Sequence, residues 1–100
     1  LLSNENLTSF RRQIISCWAT NNITFKGEIT VGLQMNKDGT VKRDTIEIIN
    51  YDTANNKAVV DKAFSLVKQA LIACEKNGYD LPSDKYNQWN EIEIVFVWPK

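Results

Sequence analysis

From Ser3 to Asn21 the apolar residues fall at Leu7, Phe10, Ile14, Cys17 and Trp18. Spacings of three and four place them along one face of a helix. Ser3 or Asn4 offers a side-chain oxygen to cap its start. Asn21 and Asn22 suit its end, because asparagine tolerates left-handed backbone. The period then changes. Between Glu28 and Asn36, Ile29, Val31, Leu33 and Met35 alternate with Glu28, Thr30, Gly32 and Gln34, which predicts a strand with one buried face. Asp38-Gly39 predicts a hairpin turn. The returning strand, Thr40 to about Asn50, loses its alternation at Lys42, Arg43 and Asp44. A bulge near Arg43-Asp44 would restore Val41, Ile46 and Ile48 to one face.

Asp52 or Thr53 can cap a second helix, about Ala54 to Glu75, with a buried stripe of Val59, Ala63, Leu66, Val67, Ala70 and Cys74. Gly78 is its stop signal. A loop or short turn covers Asp80 to Trp89. Then Ile92, Ile94, Phe96 and Trp98 alternate with Glu93, Val95 and Val97 in a last strand, about Asn90 to Trp98. The order is α-β-β-α-β. It predicts a single α+β domain over residues 1–100, with a three-stranded antiparallel sheet of order 2-1-3 and two helices on one face. Strands two and three are then its edges. The three tryptophans read as core at Trp18, a seal between loop and sheet end at Trp89, and a packed or protruding strand end at Trp98.

The length of 100 residues suits one domain, and 43% hydrophobic with 24% charged residues is an ordinary globular balance. Lys+Arg and Asp+Glu are both 12, so there is no basic excess of the kind that marks nucleic-acid binders. No apolar run reaches the roughly 20 residues of a membrane helix. The start at Leu1 reads as a piece of a longer chain. There is no histidine, which removes the commonest general base and zinc ligand. No GxSxG, HExxH, P-loop or dinucleotide fingerprint occurs. Glu28, Glu47, Glu91 and Glu93 could supply a carboxylate pair, but their strand positions read as solvent-facing. No catalytic residue, cofactor or metal is expected.

Two cysteines, Cys17 and Cys74, are too few and too far apart for a zinc site. They read either as buried free thiols in a reducing compartment or as a disulfide, which the chain-entropy model values at roughly 4 kcal/mol. Their places on the two helical stripes favour the bridge without deciding it.

Four stretches together resemble the C-terminal periplasmic domain of TolA, in its alphaproteobacterial Cys-Trp form: "RRQIISCW" at 11–18, "GEITVGLQMNKDGTV" at 27–41, "AFSLVKQALIAC" at 63–74 and "LPSDKYNQWNEIEIVF" at 81–96. That family has Cys-Trp at the end of a first helix, a strand, a D-G turn and a second helix ending in Cys. An L-P-x-x-x-Y-x-x-W run and a closing strand follow. Where the family carries proline-rich segments, this chain has "ATNNITFKG" and "EKNGYD". The resemblance implies a Cys17–Cys74 disulfide in an oxidising periplasm. It also implies an inner-membrane anchor and stalk outside this chain, energised by TolQ and TolR. The domain would contact TolB, Pal or both and support outer-membrane integrity during division. Colicins and filamentous phage coat proteins exploit such domains. The alternative is a TonB-like domain that grips outer-membrane transporters.

An exposed strand edge can accept a partner strand. Strand two is blunted by Lys42, Arg43, Asp44 and the expected bulge. The expected acceptor is therefore the last strand: Glu91, Ile92, Glu93, Ile94, Val95, Phe96, Val97 and Trp98. The domain is expected to be a monomer that lies outside the membrane and binds no nucleic acid. Small-enzyme and cytosolic-module readings compete with this one, and two free thiols in native protein would favour the cytosol.

Overall fold

The computed structural model describes residues 4–18, 25–76 and 78–98. The first helix, α1, spans Asn4–Cys17 and is followed by strand β1, Gly27–Met35, and strand β2, Val41–Tyr51. Helix α2 spans Lys57–Ala73. A 3-10 turn at Ser83–Lys85 leads into a single turn of helix, α3, at Tyr86–Trp89, and strand β3 closes the chain at Glu91–Trp98. The sheet is three-stranded and antiparallel, in the order β2-β1-β3. The α+β architecture and sheet order read from the sequence are those of the molecule.

One apolar cluster joins helices and sheet. Ile29, Val31, Leu33 and Met35 of β1 are buried, as their alternation predicts, and meet Phe10, Ile14 and Trp18 from the first helix. The hairpin is closed by Asp38, whose carboxylate accepts from the Thr40 N–H at 3.0 Å and the Thr40 hydroxyl at 2.6 Å. These bonds hold its carboxyl below the usual range. Gly39 takes the positive φ of +87° that the turn needs.

The first helix ends at Cys17, short of Asn21; the expected terminators Asn21 and Asn22 lie outside the described residues. α2 begins three residues later than its sequence signals suggest. Asp52 is spent on a local turn, accepting from the Ala54 N–H at 3.0 Å. The cap is Asn56, which accepts from the Val59 N–H at 3.0 Å. The buried stripe is Val60, Ala63, Val67, Ala70 and Leu71. It is rotated from the expected one: Val59 is half-buried, and Leu66 lies off the core.

The anticipated bulge in β2 is wider than one residue. Gly32 pairs with Glu47 while Gln34 pairs with Lys42, so Arg43 to Ile46 have no cross-strand partners in the ladder. The Thr45 hydroxyl substitutes for one lost acceptor, taking the Gln34 N–H at 2.9 Å and donating to the Lys42 carbonyl at 2.6 Å. A second irregularity sets Thr30 against Asn50 and Val31 against Ile48, which leaves Ile49 over. Ile49 lies across Gly32, where a β-carbon would meet its Cδ1 at 2.9 Å. Val41 is buried and Ile46 and Ile48 pack half-buried on the core, the common face that the bulge was invoked to give.

Glu75, only 7% exposed, anchors the wide bulge. Its carboxylate accepts from the Val41 N–H at 2.7 Å and from the Arg43 guanidinium at 2.9 Å. A buried carboxylate persists because it is paired and hydrogen-bonded.

Candidate functional site

β3 is an edge strand. It pairs with β1 from Gly27↔Trp98 to Gln34↔Glu91 with no register shift, and among the described residues no strand lies on its other side. Every second residue of such a strand turns its N–H and C=O groups away from the sheet. On the inner side Phe96 and Trp98 are buried and Ile92 and Ile94 half-buried. On the outer side Glu91 and Glu93 are exposed, and Val95 and Val97 are 53% and 49% exposed.

Both ends of this strand are pinned. At the start, the Met35 N–H donates to the Asn90 carbonyl at 2.8 Å and the Tyr86 hydroxyl donates to the Met35 carbonyl at 2.6 Å. Trp89 is buried, donates from its indole N–H to the Pro82 carbonyl at 2.7 Å and meets Tyr86 edge-on at 4.8 Å. This is the seal expected of Trp89. At the far end Trp98 packs inward, edge-on to Trp18 at 4.7 Å and to Phe25 at 5.0 Å, with Phe96 at 5.2 Å from Trp18. Edge-to-face pairs contribute about 0.5–1.5 kcal/mol each beyond their burial. A strand fixed in this way presents its free edge in one conformation, so a guest does not have to order it.

Beside the edge lies an apolar groove of about 290 Å³ between α1 and β3. Ile14, Ile15 and Trp18 form the helix wall, Ile94 to Val97 the strand wall, and Arg11 is the charged side chain lining it. Ile15 is 46% exposed there. Ile15 lies off the dominant apolar stripe of α1; Arg11, Ile15 and Trp18 at spacings of four and three trace a second stripe beside it.

The helix wall is held at several points. Cys17 and Cys74 form a disulfide with a Cα–Cα distance of 5.9 Å, so both cysteines of the chain are bonded. One turn back, the Gln13 side-chain carbonyl accepts from the Asp80 N–H at 3.3 Å, and Phe10 meets the Tyr79 ring edge-on at 5.0 Å. The Tyr79 hydroxyl donates to the Leu71 carbonyl at 2.6 Å. Burial, with the Glu75 charge second, pushes its pKa well above the ordinary value.

The opposite edge differs. β2 carries two register shifts, with exposed Lys42, Arg43 and Asp44 in the wider one. Bulges and charges of this kind oppose strand addition.

Glu28, Glu47, Glu91 and Glu93 are all exposed, as their strand positions predict. Among the described residues no helix is long and apolar enough to cross a membrane. No protein-family model, curated protein or solved structure matches the chain.

Proposed function

We propose that this domain is a non-enzymatic protein-interaction module that takes up an extended segment of a partner along Glu91–Trp98. The observation that carries this reading is the unshifted β3 edge beside an apolar groove. Main-chain bonds to a strand edge supply affinity with little dependence on sequence, and adjoining pockets select alternate side chains. A single added strand buries less than a standard interface, so affinity on the order of micromolar is expected.

The Cys-Trp helix end, the D-G turn, the second cysteine and the L-P-x-x-x-Y-x-x-W run support placing the module in the Tol-Pal cell-envelope system. There it would contact TolB or Pal and link inner-membrane energy, delivered through TolQ and TolR, to outer-membrane integrity. Colicins or phage coat proteins would use the same edge. The Cys17–Cys74 bridge suits an oxidising compartment such as the periplasm.

The test is an amide NMR titration of the 100-residue chain with an N-terminal TolB peptide from the same organism. Saturable shifts at 91–98 and on the helix wall around Ile15 are the expected result. Shifts centred on β2, or none, would overturn the assignment.

A further inference from the structure

The outer side of β3 is divided along its length. Glu91 and Glu93 occupy the first half, and Val95 and Val97 the second. Glu93 stands in a cross-strand row with Gly32 and Glu47. Ile49 fills the space over Gly32, and Glu47 and Glu93 border one shallow trough there, with Glu91 at its rim. Neither Glu91 nor Glu93 has an ion-pair partner among the described residues. The inner side of the same edge opens on the apolar groove.

From this division we infer the chemistry of the guest, resting on the edge-addition reading above. It is an amphipathic strand whose inner side is apolar throughout. Its outer side is basic where it lies beside Glu91 and Glu93, and apolar beside Val95 and Val97. Directly opposed side chains on neighbouring strands stand about 4.5–5.5 Å apart, where opposite charges attract and like charges repel. A lysine or arginine placed there meets two carboxylates with no ion-pair competitor among the described residues.

The same division argues against a second copy of this chain as the occupant. In antiparallel self-pairing, outer residues face outer residues only in certain registers. One sets Glu91 against Val97 and Glu93 against Val95, a charge beside an apolar group at every step. A shift by two residues in one direction brings Glu93 opposite its own mate; in the other it sets Val95 against Val95 but leaves Glu93 against Val97. Parallel pairing aligns the glutamates with each other. Each arrangement loses the complementarity that a basic guest gains.

The experiment uses two synthetic peptides of about ten residues, identical on the inner side. On the outer side one carries two lysines followed by two valines, the other two glutamates followed by two valines; each is also made in reverse order to allow either strand direction. Binding to the whole chain and to its Glu91→Lys/Glu93→Lys variant is followed by amide NMR and calorimetry. Circular dichroism of the variant controls for folding. The basic peptide should bind on the order of tenfold tighter than the acidic one, two opposed pairs being involved. Its advantage should shrink with added salt, and the preference should reverse in the variant. Equal binding of both peptides at 91–98 would overturn the charge pattern and leave edge addition standing. Absence of shifts with every peptide would overturn edge addition and this inference with it. A concentration-dependent dimer through β3 in sedimentation would replace the guest with a second copy.

Discussion

Gly39 and Gly78 hold two turns in direct backbone contact. The Tyr79 N–H donates to the Gly39 carbonyl at 2.8 Å, and a β-carbon on Gly39 would stand 2.5 Å from the Tyr79 carbonyl oxygen. A β-carbon on Gly78 would strike the Asp38 carbonyl oxygen. Both glycines have positive φ, at +87° and +98°. The hairpin tip and the exit from α2 are thereby clamped together. Alanine at either position combines a disfavoured backbone region with a backbone clash, so Gly39→Ala and Gly78→Ala should each cost about 2 kcal/mol or more. For a domain of this size each kilocalorie corresponds to roughly 4–8 °C in Tm, which a thermal melt will read. A melt unchanged within a degree would contradict the clamp.

The disulfide gives the second prediction. Constraining the unfolded chain should stabilise the domain by about 2–4 kcal/mol. Native protein should titrate no free thiol, and the urea midpoint should fall on reduction or in Cys17→Ser/Cys74→Ser. Because the bridge ends the helix wall of the groove, the same variant should bind the guest more weakly at temperatures where it is still folded.

Tyr79 gives a pH dependence. Its folded pKa lies above the ordinary value of 10.0. Above that pH the unfolded chain has lost a proton that the folded protein keeps. The contribution is therefore level below pH about 10 and declines as pH rises beyond it. Tyr79→Phe should remove that part of the alkaline decline. It should also cost about 1–2 kcal/mol at neutral pH by leaving the buried Leu71 carbonyl without its donor. Urea midpoints against pH for the two proteins check both effects.

Ile15 separates binding from folding. It is 46% exposed, so Ile15→Glu should change stability by no more than about 0.5 kcal/mol. A carboxylate in the apolar groove should nevertheless weaken the guest on the order of tenfold, by the cost of desolvating a charge there. Paired denaturation and peptide-binding curves decide it; unchanged binding would remove the groove from the site.

Much of this was legible in the chain because period and turn chemistry are local. The alternation of Ile29, Val31, Leu33 and Met35 gave β1 its buried face, and Asp38-Gly39 gave the hairpin. What was not legible depends on neighbours distant in sequence. Nothing in Ile48-Ile49-Asn50 announces a bulge; Ile49 is accommodated by the missing side chain of Gly32 on the next strand. Glu75 looks like a solvated helix end until Val41 and Arg43 are brought to it. α2 starts later than residue type suggests because Asp52, a good cap by type, closes a turn of its own before Asn56 takes the role. At the site, the strand and its faces followed from alternation, but the groove required α1 to be laid alongside β3.

The two irregularities of β2 carry a consequence for stoichiometry. Open-ended fibre growth through a sheet needs two receptive sides on every subunit, one to join and one to be joined. Here one side is interrupted at Ile49 and along the Arg43–Ile46 stretch, which opposes strand addition. On the edge-addition proposal each molecule would seat one visitor and stop, with no second receptive side from which a polymer could grow.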